Sequence, residues 1–251
     1  MNRFACPRSR RLRRFLVAAA IACGVALPPS SFAIEIVDVT ISQAALTSGY
    51  MNVFDLPSNG GAYWFGSGWG IADLNTSFPD SNTVNFTPNT IGDTNPFWYT
   101  PSGGPGATGN KIMEANLYSQ PADGTYTGKI LRFKGIVNSF TLQTGANPDT
   151  DYTFKAFIRD FAPDYSTVVE QTATITTTGT FSISLLTNSD PTRHVQYGLQ
   201  MKGPDVWFTD VAPKGSVTVT AVPEPSTLTA LAAAGLVAGA CGLCRRKRGT
   251  N

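Results

Sequence analysis

Turn-forming residues divide this chain at short intervals. Between residues 34 and 221, clusters of Gly, Pro, Asn and Asp recur about every ten residues, and apolar residues show almost no helical periodicity. The segments between the clusters are too short for packed helices, and several are rich in β-branched residues, which favour extended backbone. The spacing predicts an all-β domain, an antiparallel β-sandwich of jelly-roll type.

Two segments show the alternation of a half-buried strand most clearly. In the segment 152–159, Tyr152, Phe154, Ala156 and Ile158 point one way, and in 193–202, Val195, Tyr197, Leu199 and Met201 point inward. Further strands are predicted at 35–41, 111–118, 129–142, 167–175, 180–186, 205–211 and 216–221. Residues 34–221 are therefore expected to form one sandwich domain.

The charge of the chain is divided between its middle and its ends. Residues 34–221 hold nine basic and 16 acidic residues, a net charge of −7, although the whole chain has a formal charge of +2. The basic residues concentrate at the two ends, so the overall charge does not indicate a nucleic-acid partner. All four cysteines also lie in the end segments, which leaves the middle without thiol chemistry.

The first 33 residues have the three parts of a secretory signal. A basic stretch at 8–14 precedes an apolar run at 15–27, and small residues end the segment at Ala33. This order predicts a signal peptide at 1–33, with cleavage by signal peptidase between Ala33 and Ile34. An uncleaved anchor is the alternative, but the apolar run is short for a hydrocarbon core of about 30 Å.

The last 30 residues have a comparable arrangement in reverse order. An extended proline segment at 222–227 leads into an uncharged run at 228–244, and a basic tail follows at 245–251. The run spans roughly 25 Å as a helix, which is the lower limit for crossing a membrane. The positive-inside rule places the basic tail in the cytoplasm and the middle of the chain outside. The tail cluster consists of Arg245, Arg246, Lys247 and Arg248.

This C-terminal arrangement resembles the PEP-CTERM sorting signal of exported bacterial proteins. The motif residues are Val222, Pro223, Glu224 and Pro225. The resemblance implies that an exosortase recognises the motif and removes the tail, in bacteria that make exopolysaccharide. The body is then expected at the cell surface or in the extracellular matrix, after transient anchoring by the helix. An ordinary C-terminal anchor with a proline linker is the alternative.

The later part of the middle resembles jelly-roll modules with galactose-binding-like folds, many of which bind carbohydrate. The resemblance is carried by Tyr152-Thr-Phe-Lys-Ala-Phe-Ile-Arg159, Val195-Gln-Tyr-Gly-Leu-Gln-Met-Lys-Gly203 and Gly215-Ser-Val-Thr-Val219. It supports the predicted fold and designates no binding residue.

Aromatic residues in Gly-rich and Pro-rich segments are candidates for glycan binding. Trp64, Trp69, Trp98 and Tyr99 offer flat rings on which a sugar can stack. The alternative is that these rings pack over the edge of the sandwich, because large aromatic residues are usually buried. His194 falls on the polar side of its strand, where it either hydrogen-bonds a glycan or is simply solvated.

The residues needed for common catalytic sites are sparse. The middle has one histidine and no cysteine, which excludes Cys–His dyads and multi-histidine zinc sites, and it contains no Gly-x-Ser-x-Gly motif. The chain is therefore expected to be a non-catalytic exported protein associated with exopolysaccharide. The alternatives are a glycan-active hydrolase, whose paired carboxylates meet only in space, and a structural matrix protein without a defined ligand.

Calcium is the only metal that the sequence suggests, and no other cofactor is expected. Oxygen ligands recur at Asp73, Asn75 and Asp80, and again at Asp149 and Asp151. Neither segment has the glycine and bidentate glutamate of an EF-hand loop, so local Asx turns are the alternative.

Overall fold

The computed structural model describes residues 33–223, and these residues are folded almost entirely as β-structure. The described strands are β1 (Ile36–Thr40), β2 (Ser48–Asp55), β3 (Tyr63–Gly68), β4 (Thr76–Asp80), β5 (Thr83–Phe86), β6 (Tyr99–Thr100), β7 (Thr108–Gly109), β8 (Lys111–Ser119), β9 (Ile130–Phe140), β10 (Thr153–Phe161), β11 (Val168–Ile175), β12 (Gly179–Leu186), β13 (His194–Pro204) and β14 (Val217–Thr220). Single 3₁₀ turns occupy Pro57–Asn59, Ala72–Leu74, Phe208–Asp210 and Ala212–Lys214.

Twelve of these strands form two six-stranded sheets. The first sheet has the order β1-β9-β14-β5-β4. Strand β12 also belongs to this sheet and pairs with β9, on the edge opposite the one that β1 and β14 share. The second sheet has the order β11-β10-β13-β8-β2-β3, and all of its pairings are antiparallel. The predicted all-β antiparallel sandwich is confirmed, with one parallel pairing, between β1 and β9.

The two sheets enclose one hydrophobic core. Phe86 of the first sheet meets Phe154 of the second at a ring-centroid distance of 5.1 Å, and Phe133 meets Tyr197 at 5.3 Å. Each of these four residues is at most 3% exposed. The inward residues predicted for 152–158 and 195–201 are all buried. Because this core comes from residues 41–219, the body carries its own core and is expected to fold without the end segments.

The structure corrects one predicted strand and adds others. The strand expected at 205–211 is wrong: this segment makes one isolated bridge, Thr90 to Val206, and then turns through the 3₁₀ helix Phe208–Asp210. The Asp210 carboxylate accepts a bond from the Gly106 backbone N–H at 2.6 Å, which holds the segment as a loop. Strands β2 to β7 were not predicted, because glycine and proline obscure their alternation.

Several predicted features lie wholly or partly outside the described residues. The signal peptide falls there except for Ala33, and so do Glu224, Pro225, the helix predicted at 228–244 and the basic cluster at 245–248. The domain bounds and the cleavage site stay predictions. Within 33–223, no helix has the length and apolar character needed to cross a membrane.

Candidate functional site

The outward face of the second sheet carries a groove of about 480 Å³. We call it the outer-face groove. It is lined by Tyr50, Asn52, Asn116, Tyr118, Gln120, Arg159, Phe161, Tyr165 and Gln196. These residues come from β2, β8, β10 and β13 and from the loops that follow β8 and β10.

Strand alternation explains why polar and aromatic side chains gather on this face. In β8, Met113, Ala115 and Leu117 are buried in the core, so the residues between them point outward. The register then places Asn116 beside Tyr50 of β2 on one side and beside Gln200 of β13 on the other. A similar row joins Arg159 of β10 to Gln196 of β13.

Two glycines shape this face. Gly198 pairs with Tyr118 on one side and Phe157 on the other, and a Cβ atom there would overlap the Leu117 carbonyl oxygen. Gly66 lies beside Asn52, whose Oδ1 atom would be 2.6 Å from an added Cβ. Neighbouring groups therefore pack closely against both glycines, and a side chain at either position would displace them.

Side-chain amides form a hydrogen-bonded network in the floor of the groove. Asn116 Oδ1 accepts bonds from Arg159 Nη1 at 3.0 Å and from Gln200 Nε2 at 2.7 Å. Gln196 Nε2 donates to Gln120 Oε1 at 2.7 Å. Each amide has donors and acceptors, as sugar hydroxyls do, and the network fixes the amide orientations before a ligand arrives.

The groove contains one charged lining residue, and its charge is balanced. The Arg159 guanidinium lies 3.9 Å from the centroid of the Phe157 ring, and its Nε donates to Glu170 at 2.7 Å. At the next rows of the sheet, Lys202 pairs with Glu114 at 3.1 Å. The face therefore has little net charge of its own, and its polarity comes mainly from amides and hydroxyls.

Aromatic rings border the groove. Tyr50 is 36% exposed and Tyr165 is 51% exposed, while Tyr118 and Phe161 are half-buried. Burial raises the pKa of Tyr118, so its hydroxyl stays protonated at neutral pH and can donate a hydrogen bond. Rings beside oriented amides provide both a stacking surface and polar contacts for a pyranose.

Trp64 is the one tryptophan among the predicted glycan-binding residues that lies largely in solvent. Its ring is 53% exposed on β3 and meets Phe97 edge-on at 5.3 Å. The Lys111 ammonium lies 5.5 Å from the centroid of the Trp64 ring and donates to Asp55 at 3.0 Å, and this hydrogen bond lowers the pKa of the Asp55 carboxylate. Trp64 is an exposed, oriented ring, but it is not among the residues that line the outer-face groove.

The other predicted aromatic residues pack inward to different degrees. Trp69 and Trp98 are half-buried against the core, and the Trp69 Nε1 donates to Ser67. Tyr99 is fully buried; its hydroxyl donates to Ile91 O at 2.7 Å and accepts from the Ile91 N–H at 3.1 Å. For Tyr99 the structure matches the alternative in which the ring packs in the sandwich.

His194 lies at the end of the outer-face groove, next to one of its lining residues. It stacks on Tyr165, with ring centroids 4.5 Å apart and an interplanar angle of 13°. The sequence had placed His194 on the polar side of its strand, and the register confirms this by pairing it with Phe161 of the groove.

Four of the five residues proposed as calcium ligands make side-chain hydrogen bonds to backbone groups in the structure. Asp80 Oδ1 accepts from the Asn82 N–H at 2.8 Å, and Asp151 Oδ2 accepts from the Asn147 N–H at 2.9 Å. Asp149 Oδ1 accepts from Ser58 N at 3.1 Å, and Asn75 Nδ2 donates to Pro88 O at 2.6 Å. Asp73 lies in the 3₁₀ turn that ends at Leu74.

The described residues contain no group of three or more His, Cys, Asp or Glu side chains placed to hold a metal ion. One of these bonds, from the Asn82 N–H to Asp80, is an Asx turn, which the sequence left open as the alternative. Calcium binding stays a prediction that no observation here tests.

Most of the groove was not identified from the sequence. The alternation in 152–159 and 193–202 predicts that Arg159 and Gln196 point away from the core, and this is the sequence signal that indicates part of the groove. Tyr50 and Asn52 lie on an unpredicted strand, and Tyr165 lies in a turn. These residues approach Arg159 only through strand order, which the sequence pattern does not reveal.

Comparison with protein-family models identifies residues 221–248 as a PEP-CTERM protein-sorting motif. No curated protein matches the chain. Among solved structures there is a weak resemblance to a chain described as "Structural basis for the promiscuous specificity of the carbohydrate-binding modules from the beta-sandwich super family". The two are 16% identical, with 68% of this chain and 70% of that chain covered and a TM-score of 0.28.

The matched motif begins one residue before the motif predicted at Val222 and ends at Arg248, within the basic tail. PEP-CTERM signals mark a protein for export and cell-surface sorting, and the enzyme that processes them is an exosortase. The chain therefore carries the C-terminal sorting motif that its proline segment and basic cluster indicated.

Proposed function

We propose that this protein is an exported, non-catalytic surface or matrix protein whose β-sandwich binds polysaccharide in the outer-face groove. The observation that carries the proposal is the combination of oriented amides and exposed aromatic rings in one open groove. Such a lining supplies the stacking surface and the paired donors and acceptors that a polyhydroxylated chain needs.

The composition of the groove supports a binding role rather than hydrolysis. Its nine lining residues include no aspartate or glutamate. Glycoside hydrolysis commonly uses two carboxylates about 5–10 Å apart across the scissile bond. A groove lined by amides, tyrosines and one paired arginine favours reversible binding of a glycan that leaves chemically unchanged.

The charge of the body supports a ligand of low charge. Residues 34–221 carry a net charge of −7, which repels a polyanion, and Arg159 is already paired with Glu170. A neutral polysaccharide of the extracellular matrix fits this balance best. The affinity of the protein for such a polysaccharide is then expected to change little with salt concentration, because the contacts do not depend on long-range attraction between charges.

The test of binding measures how strongly two tyrosine variants are retained in affinity electrophoresis, in gels that contain neutral polysaccharides. The body, residues 34–223, is used with Tyr50→Ala in the groove and Tyr63→Ala on β3 as the matched control. Tyr63 is 59% exposed and does not line the groove. We expect loss of retention only for Tyr50→Ala. Equal retention of both variants, or no retention of the unmodified body, contradicts the proposal.

A separate test concerns sorting. Deletion of 222–251 removes the matched motif and is expected to change where the protein accumulates, because the exosortase has lost its recognition sequence. Substitution of Pro223 and Pro225 by alanine keeps the predicted helix and basic tail and is expected to act like the deletion. Unchanged surface location of either variant contradicts sorting through this motif.

A further inference from the structure

His194 has hydrogen-bonding groups on both sides of its ring. Its Nδ1 lies 2.7 Å from Asp123 Oδ1, and its Nε2 lies 3.1 Å from the Pro163 carbonyl oxygen. Asp123 belongs to the loop after β8, and Pro163 belongs to the turn after β10. The side chain of His194 is 17% exposed, so it joins two loops at the edge of the sheet.

Both neighbours accept hydrogen bonds and do not donate them at neutral pH. A carboxylate and a backbone carbonyl offer lone pairs only, whereas neutral imidazole carries a single N–H. Only imidazolium donates from both nitrogens at once. The geometry therefore fits protonated His194, and loss of the proton leaves one of the two acceptors without its bond.

One of these acceptors belongs to the turn that positions a groove residue. Pro163 is two residues before Tyr165, which stacks on the His194 ring. The turn is closed by the Ala162 N–H bond to Thr167 O at 2.8 Å, and Tyr165 has a φ of 58°, an uncommon value for a residue with a side chain. The Tyr165 hydroxyl also accepts from Gln120 at 3.2 Å.

We propose that protonated His194 fixes the Tyr165 side of the outer-face groove, so that glycan affinity falls when His194 loses its proton. The inference rests on the proposed function and adds pH regulation to the same site. In the deprotonated state the turn loses either its bond to His194 or the restraint from Asp123, and Tyr165 no longer has one position. His194 acts as a positioning residue, through Tyr165.

The groups around His194 agree with this assignment. Asp123 faces it from the loop after β8, Tyr165 and the Pro163 carbonyl face it from the turn after β10, and the paired residue on β10 is the uncharged Phe161. Arg193, the residue before His194 in the chain, forms an ion pair with Asp160 at 2.6 Å. Asp123 is thus the charged group that contacts the ring.

The sign of the pH effect follows from the same contacts. The hydrogen bond to Asp123 raises the pKa of His194 above its ordinary value. The folded protein therefore favours the charged ring, and the restraint is complete below the ordinary histidine pKa. It is lost as the pH rises through the raised value. Weaker glycan binding is expected on the alkaline side.

The first measurement needs no glycan. The His194 and Tyr165 ring resonances of the body are followed by NMR from about pH 5 to about pH 9, a range that spans histidine titration. We expect His194 to titrate above its ordinary pKa and the Tyr165 signals to broaden or shift with the same midpoint. Asp123→Asn lowers that midpoint, whereas Asp190→Asn, in a neighbouring loop, leaves it unchanged. The proposal is overturned if the Tyr165 signals do not change across the His194 titration.

The second measurement is affinity electrophoresis over the same pH range. Affinity is expected to fall about fivefold or more across the His194 titration, the lower end of coupling between linked sites. His194→Gln, which has no titrating proton, is expected to give a flat profile. Superimposable profiles for the two proteins overturn the regulation. Absence of retention at every pH contradicts the proposed function instead, and the NMR titration then still decides whether His194 holds Tyr165.

Discussion

Asp160 anchors the segment that leads into the groove end of β13, and the loss of its carboxylate lowers the free energy of unfolding by an amount that can be calculated. The carboxylate is 2% exposed and accepts from Arg193 Nε at 2.6 Å and from the Asn188 N–H at 2.7 Å. Asp160→Ala leaves the Arg193 side chain, which is 13% exposed, without its counter-charge and leaves the Asn188 N–H without that acceptor. Breaking a buried ion pair on one side costs about 3–5 kcal/mol.

Urea unfolding measures this cost directly. With a typical slope of about 2 kcal/mol per molar urea, the expected loss lowers the midpoint by about 2 M. Tryptophan fluorescence and circular dichroism of the body, residues 34–223, are expected to report the same shift with an unchanged slope. Asp93→Ala is the control, because Asp93 makes only a local bond to the Asn95 N–H, and it is expected to leave the midpoint unchanged.

A double variant separates the charge effect from simple loss of packing. In Asp160→Leu with Arg193→Met neither charge remains, so much of the stability lost in Asp160→Ala is expected to return. A loss below about 1 kcal/mol for Asp160→Ala refutes the reasoning about the buried pair. The reasoning is also refuted if the stability losses of the single variants Asp160→Leu and Arg193→Met simply add in the double variant.

Three further predictions concern single residues outside the groove. Trp64→Phe is expected to remove most of the iodide-quenchable fluorescence, because Trp64 is 53% exposed, whereas Trp69→Phe removes little of it. Tyr99→Phe is expected to cost about 1–3 kcal/mol in urea unfolding, since the Ile91 N–H loses its acceptor. Burial raises the pKa of Asp205 to about 7, so folding stability falls as the pH rises from about 4 through 7. Asp205→Asn is expected to flatten that part of the stability profile; an unchanged profile contradicts the assignment.

The sequence predicted the sandwich well where strands alternate strictly. The segments around Phe154 and Leu199 have uninterrupted two-residue periodicity, and both are central strands of the second sheet. The strand containing Tyr50 was missed because Gly49 interrupts its pattern, and Gly66 interrupts the pattern of the neighbouring β3; both glycines allow close approach of neighbouring groups. Periodicity records which side chains are buried along one strand, and it does not record the absence of a Cβ.

The candidate site was harder to predict than the fold. Three of the four aromatic residues predicted to bind a glycan are tryptophans, yet Trp69 and Trp98 pack against the core. The groove depends on Asn116 lying between Tyr50 and Gln200, residues 66 and 84 positions away. Such neighbours are set by the order β10-β13-β8-β2, which follows from the connections between strands rather than from any local motif.

The most direct test of glycan binding in the outer-face groove is to map the bound surface. Side-chain amide signals of Asn116, Gln120 and Gln196 are followed by NMR while neutral oligosaccharides are added to the body. We predict saturable shifts at these amides, with the Trp64 indole N–H unaffected. Shifts centred on Trp64, or no saturable shift with any neutral oligosaccharide, contradict the assignment of the groove as the glycan site.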